Sequence, residues 1–169
     1  MQKKIFKFIS FAVFAFFISI AGCSGCSSSD STVVVFSDVH FDPFSDAAIF
    51  QQLVNADPSN WASIFASSTS TELPTWGSDT NYPLLLIALS SIKNNSSGAS
   101  MFVFPGDMLT HSFSSKFYAL YGSTDEVAMK AFADKTVAFL TQYIRSYFGN
   151  APILFALGNN DGYADYQVE

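Results

Sequence analysis

Three short stretches of the sequence carry side chains that could together hold a metal ion. Asp38 and His40 stand two residues apart, Asp107 follows a glycine, and Asn159 stands in the run G-N-N-D at 158–161. Residues two apart in an extended chain point the same way, so Asp38 and His40 are predicted to face one ion. Imidazole nitrogen mixed with carboxylate and amide oxygens suits Zn²⁺, Mn²⁺ or Fe²⁺ better than Ca²⁺. The stretches therefore predict a divalent metal site.

The same residues also have a purely structural interpretation. Asp38 and Asp107 could be the N-caps of the helices that follow them, and Gly106 and Gly158 could simply form turns. Each of the three stretches, taken alone, is explained well in this way. Three such stretches in succession, each after an apolar run, favour the metal site.

Each of these apolar runs is typical of a β-strand. The predicted strands are residues 32–36, 101–104 and 152–157. They are apolar on both faces, as in parallel strands that are buried on both sides. Sites in open parallel sheets form beyond the carboxyl ends of the strands, so the three stretches are expected to meet at one edge.

The segments between the strands are long and mainly helical in pattern. The predicted helices are residues 45–55, 82–93, 112–121 and 124–147, and residues 56–80 are interpreted as loop with a short helix around Trp61. Asp125 and Glu126 fall in the first turn of the longest helix, where the helix dipole favours acids. Short strands separated by long crossovers indicate an α/β fold with a parallel sheet.

These motifs resemble those of a known family. D-x-H at 38–40, G-D at 106–107 and G-N-x-D at 158–161 look like the first three motifs of the calcineurin-like metallophosphoesterases. W-G-x-D-T-x-x-P-L-L at 76–85 and G-D-x-x-x-H at 106–111 are similar to the acid sphingomyelinase-like branch, although Ser78 stands where that branch usually has a cysteine. The G-N-N-D form is associated with endopolyphosphatase-like members.

The resemblance covers roughly residues 32–165 and implies a layered fold of two packed mixed β-sheets flanked by helices. It also implies two divalent ions (Zn, Mn or Fe). Asp38 and His40 would hold the first ion, Asp107 would bridge both ions, and Asn159 would hold the second. Two adjacent ions activate a bridging water and clamp phosphoryl oxygens. The implied substrate is a phosphodiester, sphingomyelin-like, or a phosphoanhydride such as polyphosphate.

The chain departs from the family in its histidines. Later family motifs supply three more, whereas this sequence contains only His40 and His111. Residues 32–169 are therefore interpreted as the N-terminal part of a metallophosphoesterase domain. Such a part is expected to be inactive alone, to bind metal weakly at most, and to expose a sheet face and strand edges.

Asn160 stands where the family has a histidine that is taken to protonate the leaving group. An amide cannot do so, and general acid catalysis is typically worth about 10²–10⁴-fold. His111 is the alternative catalytic acid; its structural alternative is a histidine that caps a helix or supports a neighbouring group. If position 160 faces the leaving group, Asn160→His is expected to speed hydrolysis of an alkyl ester more than that of polyphosphate.

The N-terminal residues read as a targeting segment. Residues 1–22 combine lysines with an apolar run that is short for a membrane span, which is typical of a signal peptide. I-A-G-C at 20–23 resembles a bacterial lipobox, which implies that Cys23 is lipidated and anchors the protein to the membrane. The alternatives are an uncleaved anchor helix and a Cys23–Cys26 disulfide. Residues 23–31 form a polar tether.

The net charge of the chain limits the classes of molecule that it can bind. Without residues 1–22 the sequence keeps 5 of its 8 basic residues and all 14 acidic ones, a net charge of −9. Nucleic acid is therefore disfavoured as a partner, and a phosphate ester needs a local cation. The leading hypothesis is a lipid-anchored, metal-dependent phosphoesterase on the bacterial cell envelope, at the outer membrane or cell surface. An inactive surface lipoprotein that keeps only the scaffold, and a truncated fragment, are the alternatives.

Overall fold

The computed structural model describes residues 31–163 of the chain. The predicted signal peptide, Cys23, Cys26 and nearly all of the tether lie outside the described residues. Within the described range, no helix has the length and apolar character needed to cross a membrane.

A parallel sheet of three strands and five α-helices make up residues 31–163. In chain order they are β1 (Thr32–Val35), α1 (Phe50–Asn55), α2 (Trp61–Ala66), α3 (Tyr82–Asn95), β2 (Ala99–Phe104), α4 (Phe113–Tyr121), α5 (Glu126–Phe148) and β3 (Ile153–Phe155), with a 3₁₀ turn at Pro58–Asn60. The strand order is β1-β2-β3, and both pairs are parallel. The predicted α/β fold with three parallel strands is confirmed.

Local side-chain bonds explain where the two longest helices begin. Asn81 and Asp125 cap α3 and α5 by accepting bonds from the N–H groups of Leu84 and Ala128. The prediction of a helix from residue 45 is wrong, because α1 begins at Phe50. The carboxylate of Asp46 instead accepts a bond from the N–H of Ala48 and holds that stretch in a turn.

The two faces of the sheet differ in burial. On one face Phe102 and Phe104 of β2 are buried, and Phe102 stacks on Phe148 of α5 with ring centroids 4.1 Å apart. On the other face Val33, Val35 and Leu154 are 46%, 62% and 57% exposed. The prediction that the strands are buried on both sides is therefore wrong for β1 and β3, whereas the expected exposed sheet face is present.

An aromatic core fixes the segment that follows β1. Phe41, directly after His40, is fully buried and packs against Phe65 and Phe139. Burying a phenylalanine side chain contributes about 1.5–3 kcal/mol to stability. Packing of Phe41 in the core therefore holds the neighbouring backbone of His40 in place.

Candidate metal centre

The backbone beyond β1 is hydrogen-bonded to the backbone beyond β2. The N–H groups of His40 and Phe41 donate to the carbonyls of Asp107 and Met108 over 3.0 and 2.7 Å. On its other side this segment pairs with Thr80, whose N–H donates to the carbonyl of His40 over 3.0 Å. Three segments are therefore held in fixed register at the carboxyl edge of the sheet.

Three of the predicted metal ligands have left-handed backbone conformations. Asp38, His40 and Asp107 have φ angles of 59°, 40° and 61°, and they are three of only four non-glycine residues with positive φ among residues 31–163. Such conformations cost on the order of 1–3 kcal/mol each and concentrate at functional sites. The extended backbone predicted between Asp38 and His40 is wrong. The left-handed turns, rather than a strand, aim these side chains.

Asp38, His40 and Asp107 form one cluster. Each offers a ligand atom that lies within 4.8 Å of those of the other two, and His40 Nε2 is 3.8 Å from Asp38 Oδ1. His40 Nδ1 is 3.1 Å from the carbonyl oxygen of Leu109. Because a carbonyl oxygen only accepts, Nδ1 carries the hydrogen, and in the neutral ring Nε2 keeps the lone pair that a metal needs.

Asp107 is oriented by Asn160. The backbone N–H and the side-chain amide of Asn160 both donate to Asp107 Oδ1, over 3.0 and 3.2 Å. Asn160 is only 5% exposed, so these bonds are shielded from water. Both bonds fall on Oδ1, which leaves Oδ2 as the oxygen that an ion can bind.

Two glycines allow the loops after β2 and β3 to touch. A Cβ atom on Gly106 would fall 2.6 Å from the Cα of Gly158, and one on Gly158 would fall 2.6 Å from the carboxyl carbon of Asp107. Gly106 also has a φ of 126°, which side chains rarely permit. Glycine is required at both positions because the backbone of one loop lies against the other.

Asp161 joins the same two loops. Its Oδ1 accepts bonds from the N–H groups of Met108 and Leu109 over 2.7 and 3.0 Å. Its Oδ2 accepts bonds from the N–H groups of Asp107 and Gly158, both over 2.8 Å. One carboxylate therefore fixes the backbone of the candidate ligand Asp107, of the two residues after it and of Gly158 in the facing loop.

A second cluster of possible ligands contains His40, Asp79 and His111. The rings of His40 and His111 stack with centroids 4.2 Å apart. Both oxygens of Asp79 are already engaged, Oδ1 by His111 Nδ1 at 2.7 Å and Oδ2 by Thr110 and by the ammonium of Lys116 at 2.9 Å. An ion on Oδ2 would have to displace that ammonium, and an ion on Oδ1 would have to replace the hydrogen of His111 Nδ1. The cluster of Asp38, His40 and Asp107 is therefore the better candidate for a metal site.

The neighbours of Asp79 also set its charge. Burial by itself raises the pKa of the Asp79 carboxyl, but hydrogen bonds from Thr110, His111 and Lys116, with the charge of Lys116, outweigh it and lower that pKa to about 2. Burial likewise acts to lower the pKa of Lys116, but its bonds to Asp42 and Asp79 raise it above the ordinary value. Asp79 is therefore a carboxylate, and Lys116 an ammonium, at neutral pH.

Acid is expected to weaken the fold through Asp79. Its folded pKa of about 2 lies below the ordinary value of 3.8, so folding favours the ionised form. That stabilisation is fully present above the unfolded pKa and is lost as the pH falls from about 4 towards 2. In urea unfolding at a series of pH values, the difference in unfolding free energy between wild type and Asp79→Asn should shrink below about pH 4. A difference that stays constant down to pH 2 would contradict the assignment.

The structure brings together most of the predicted site residues. Asp38, His40 and Asp107 converge, and His111 lies against His40. Asn159 is exposed in the turn closed by the Asp161 N–H to Gly158 carbonyl bond. The residue of this turn that contacts Asp107 is Asn160, so the role of Asn159 as a ligand stays a prediction.

The alternative that Asp38, Asp107 or His111 caps a helix is wrong. The N-cap positions of α1 and α4 are occupied by Ile49 and Ser112, so neither Asp38 nor Asp107 caps the helix that follows it. His111 does not occupy a cap position either, and its Nδ1 bonds to Asp79.

Sequence reasoning missed Lys116 and the contacts of Asp79 and Asn160. Asp79 and Asp161 stood in the motifs without a role. Lys116 stood in no motif, and only the generic requirement for a local cation near phosphate pointed towards a basic residue.

Comparison with protein-family models and with curated proteins found no match for this chain. The functional argument therefore depends on the geometry of the site.

Proposed function

We propose that this chain carries the metal-binding edge of a metal-dependent phosphoesterase of the calcineurin-like, acid sphingomyelinase-like kind. The observation that supports it most is the convergence of Asp38, His40 and Asp107, each in a left-handed conformation, at the carboxyl edge of a parallel sheet. One imidazole and two carboxylates fit Zn²⁺, Mn²⁺ or Fe²⁺. Ions bound there would activate water and neutralise phosphoryl oxygens.

His111 is the proposed general acid. Its Nδ1 is committed to Asp79 at 2.7 Å, which leaves Nε2 as the nitrogen that can exchange a proton with a leaving group. The side chain is 55% exposed, so a substrate can reach it, and its ring lies against the candidate ligand His40. This role gives the chain a proton donor that Asn160 cannot supply.

The surroundings of His111 favour a phosphodiester over polyphosphate. A cavity of about 690 Å³ adjoins His111 and is lined by hydroxyl and carboxylate side chains, including Ser78, Glu72 and Asp42. Lys116 is the only lysine or arginine among the described residues that line it, and its ammonium is engaged by Asp42, Asp79 and Thr110. A polyanion would meet carboxylates there without a free cation, whereas a diester carries one charge for the metal to neutralise.

The proposal also includes a second β-sheet and a lipid anchor. A second sheet, as in the layered metallophosphoesterase fold, would cover the exposed face formed by Val33, Val35 and Leu154. Lipidation of Cys23 would hold the enzyme on the cell envelope, close to ester substrates in membranes.

Metal titration tests the site. We expect the purified chain to bind one equivalent of Mn²⁺ or Zn²⁺ weakly in isothermal titration. Asp107→Asn should remove this binding, and Asp46→Asn, which changes an acid in a turn, should leave it intact. Equal binding by Asp107→Asn and wild type, or tight binding of two equivalents by residues 1–169, would contradict the proposal.

Activity is tested on the protein as its host produces it, with any sequence that follows. Hydrolysis of bis(p-nitrophenyl) phosphate should exceed that of polyphosphate, should stop when a chelator removes the metal, and should return with Mn²⁺. Chelator-resistant hydrolysis would refute the metal-dependent mechanism. Metal binding without hydrolysis of either substrate would favour the inactive surface lipoprotein.

A further inference from the structure

We propose that Lys116 is a positioning residue, which fixes the carboxylate of Asp79 and through it the ring of His111. The inference goes beyond the proposed function, because it concerns the orientation of a side chain and requires neither a bound metal nor a substrate. It also gives Lys116, the one lysine of residues 31–163 that lines the cavity, a role other than holding phosphate.

The ammonium of Lys116 has three N–H donors, and each has a partner. They are Asp42 Oδ2 at 2.8 Å, Asp79 Oδ2 at 2.9 Å and Thr110 Oγ1 at 2.6 Å. A lysine whose three donors are all satisfied by protein groups must break one of these bonds before it can bind a substrate phosphate. The side chain is two-thirds covered, with 33% of its surface exposed, which agrees with an internal role.

These partners come from separate parts of the fold. Asp42 follows β1, Asp79 precedes α3, Thr110 follows β2, and Lys116 itself lies in α4. The segments carrying Asp42 and Asp79 are also bonded directly, since the Asp42 N–H donates to the Thr80 carbonyl over 2.8 Å. One ammonium therefore ties α4 to three segments at the carboxyl edge of the sheet.

The bonds to Asp79 decide which of its oxygens faces His111. Lys116 and Thr110 both bind Oδ2, so Oδ1 is turned to His111 Nδ1 at 2.7 Å. Asp42 and Asp79 are 17% and 14% exposed, and each bonds to the same ammonium. Without that ammonium Asp79 Oδ2 would keep only its bond from Thr110, so the orientation of the carboxylate would be less firmly fixed. The two carboxylates would also repel each other.

His111 depends on Asp79 for its tautomer. An ionised carboxylate can only accept, so the hydrogen of the neutral ring must be on Nδ1. The ring is 55% exposed, so little else restrains its rotation apart from the stack on His40. Loss of the Asp79 orientation is therefore expected to free both the tautomer and the rotation of His111.

The tautomer can be read directly, because the sequence contains only two histidines. Ring ¹⁵N spectra of the full-length chain in mildly alkaline buffer should show His111 mainly as the Nδ1–H form. In Lys116→Met the tautomer ratio of His111 should fall several-fold towards a mixture. The bond from His40 to Leu109 does not involve Lys116, so the His40 signals serve as the control within the same spectrum.

Two further variants separate positioning from general stability. Lys116→Arg keeps the charge but cannot place three donors as an ammonium does, so an intermediate ratio is expected. If Lys116→Met fails to fold, Lys116→Met combined with Asp42→Asn removes the repulsion between carboxylates and should give the same mixed tautomer. A His111 ratio that stays at the wild-type value in whichever of these methionine variants folds would overturn the proposal.

Discussion

Asp161→Ala is expected to lower the free energy of unfolding by about 3–5 kcal/mol. Each hydrogen bond between a charged and a neutral group contributes about 1.5–3 kcal/mol, and the loss of four such bonds is smaller than their sum because the losses are not additive. The change removes the acceptor of four backbone N–H groups, those of Asp107, Met108, Leu109 and Gly158. It also leaves these part-buried donors without their partner. Urea unfolding without metal measures the loss.

Two comparisons sharpen this prediction. Asp161→Asn keeps the shape but has one acceptor oxygen, so two of the four N–H groups would meet an amide donor, and most of the loss should remain. Asp125→Ala, which removes a single N-cap bond on α5, should cost only about 1 kcal/mol. A loss at Asp161 no larger than that at Asp125 would mean that this carboxylate does not hold the two loops together.

The location of the site could be predicted from the sequence. Apolar runs that end in polar residues place Asp38, His40 and Asp107 at the carboxyl edge of a parallel sheet, whatever the details of the loops. The long helices were also predictable, because an apolar pattern over many residues and a capping side chain such as Asp125 are local signals.

The directions in which the side chains of the candidate site point could not be predicted from the sequence. The positive φ angles of Asp38, His40 and Asp107 are imposed by pairing between segments that are distant in sequence. Lys116 finds its partners only because α4 returns to the same edge of the sheet. Strand β1 is buried on just one side. Whether its other side is buried depends on what covers the sheet, and a run of valines does not encode this.

Position 160 shows most clearly how tertiary contacts revise a motif. The resemblance identifies Asn159 as a metal ligand and places Asn160 where the family has its acid. In the structure Asn160 is buried and bonds twice to Asp107, whereas Asn159 is exposed. The side chain of Asn160 is thus committed to the candidate ligand Asp107, which supports the proposal that His111 is the proton donor.

Asn160→Ala is therefore expected to weaken binding of the first metal ion by about 10–100-fold, as is usual when a group that orients a ligand is lost. The backbone bond to Asp107 remains, but the amide bond that fixes the carboxylate does not. Asn159→Ala is the matched control, since it alters the same turn and should leave the affinity for the first ion unchanged. Titration of the chain with Mn²⁺ measures both variants.

Asn160→His then separates the two roles of the position. If the side chain orients Asp107, an imidazole there should weaken metal binding and should not raise turnover on either an alkyl phosphodiester or polyphosphate. If instead position 160 faces the leaving group, turnover of the alkyl ester should rise towards the roughly 10²–10⁴-fold range of general acids, with little gain on polyphosphate. A selective gain on the alkyl ester, together with unchanged metal affinity in Asn160→Ala, would return the acid to position 160 and remove that role from His111.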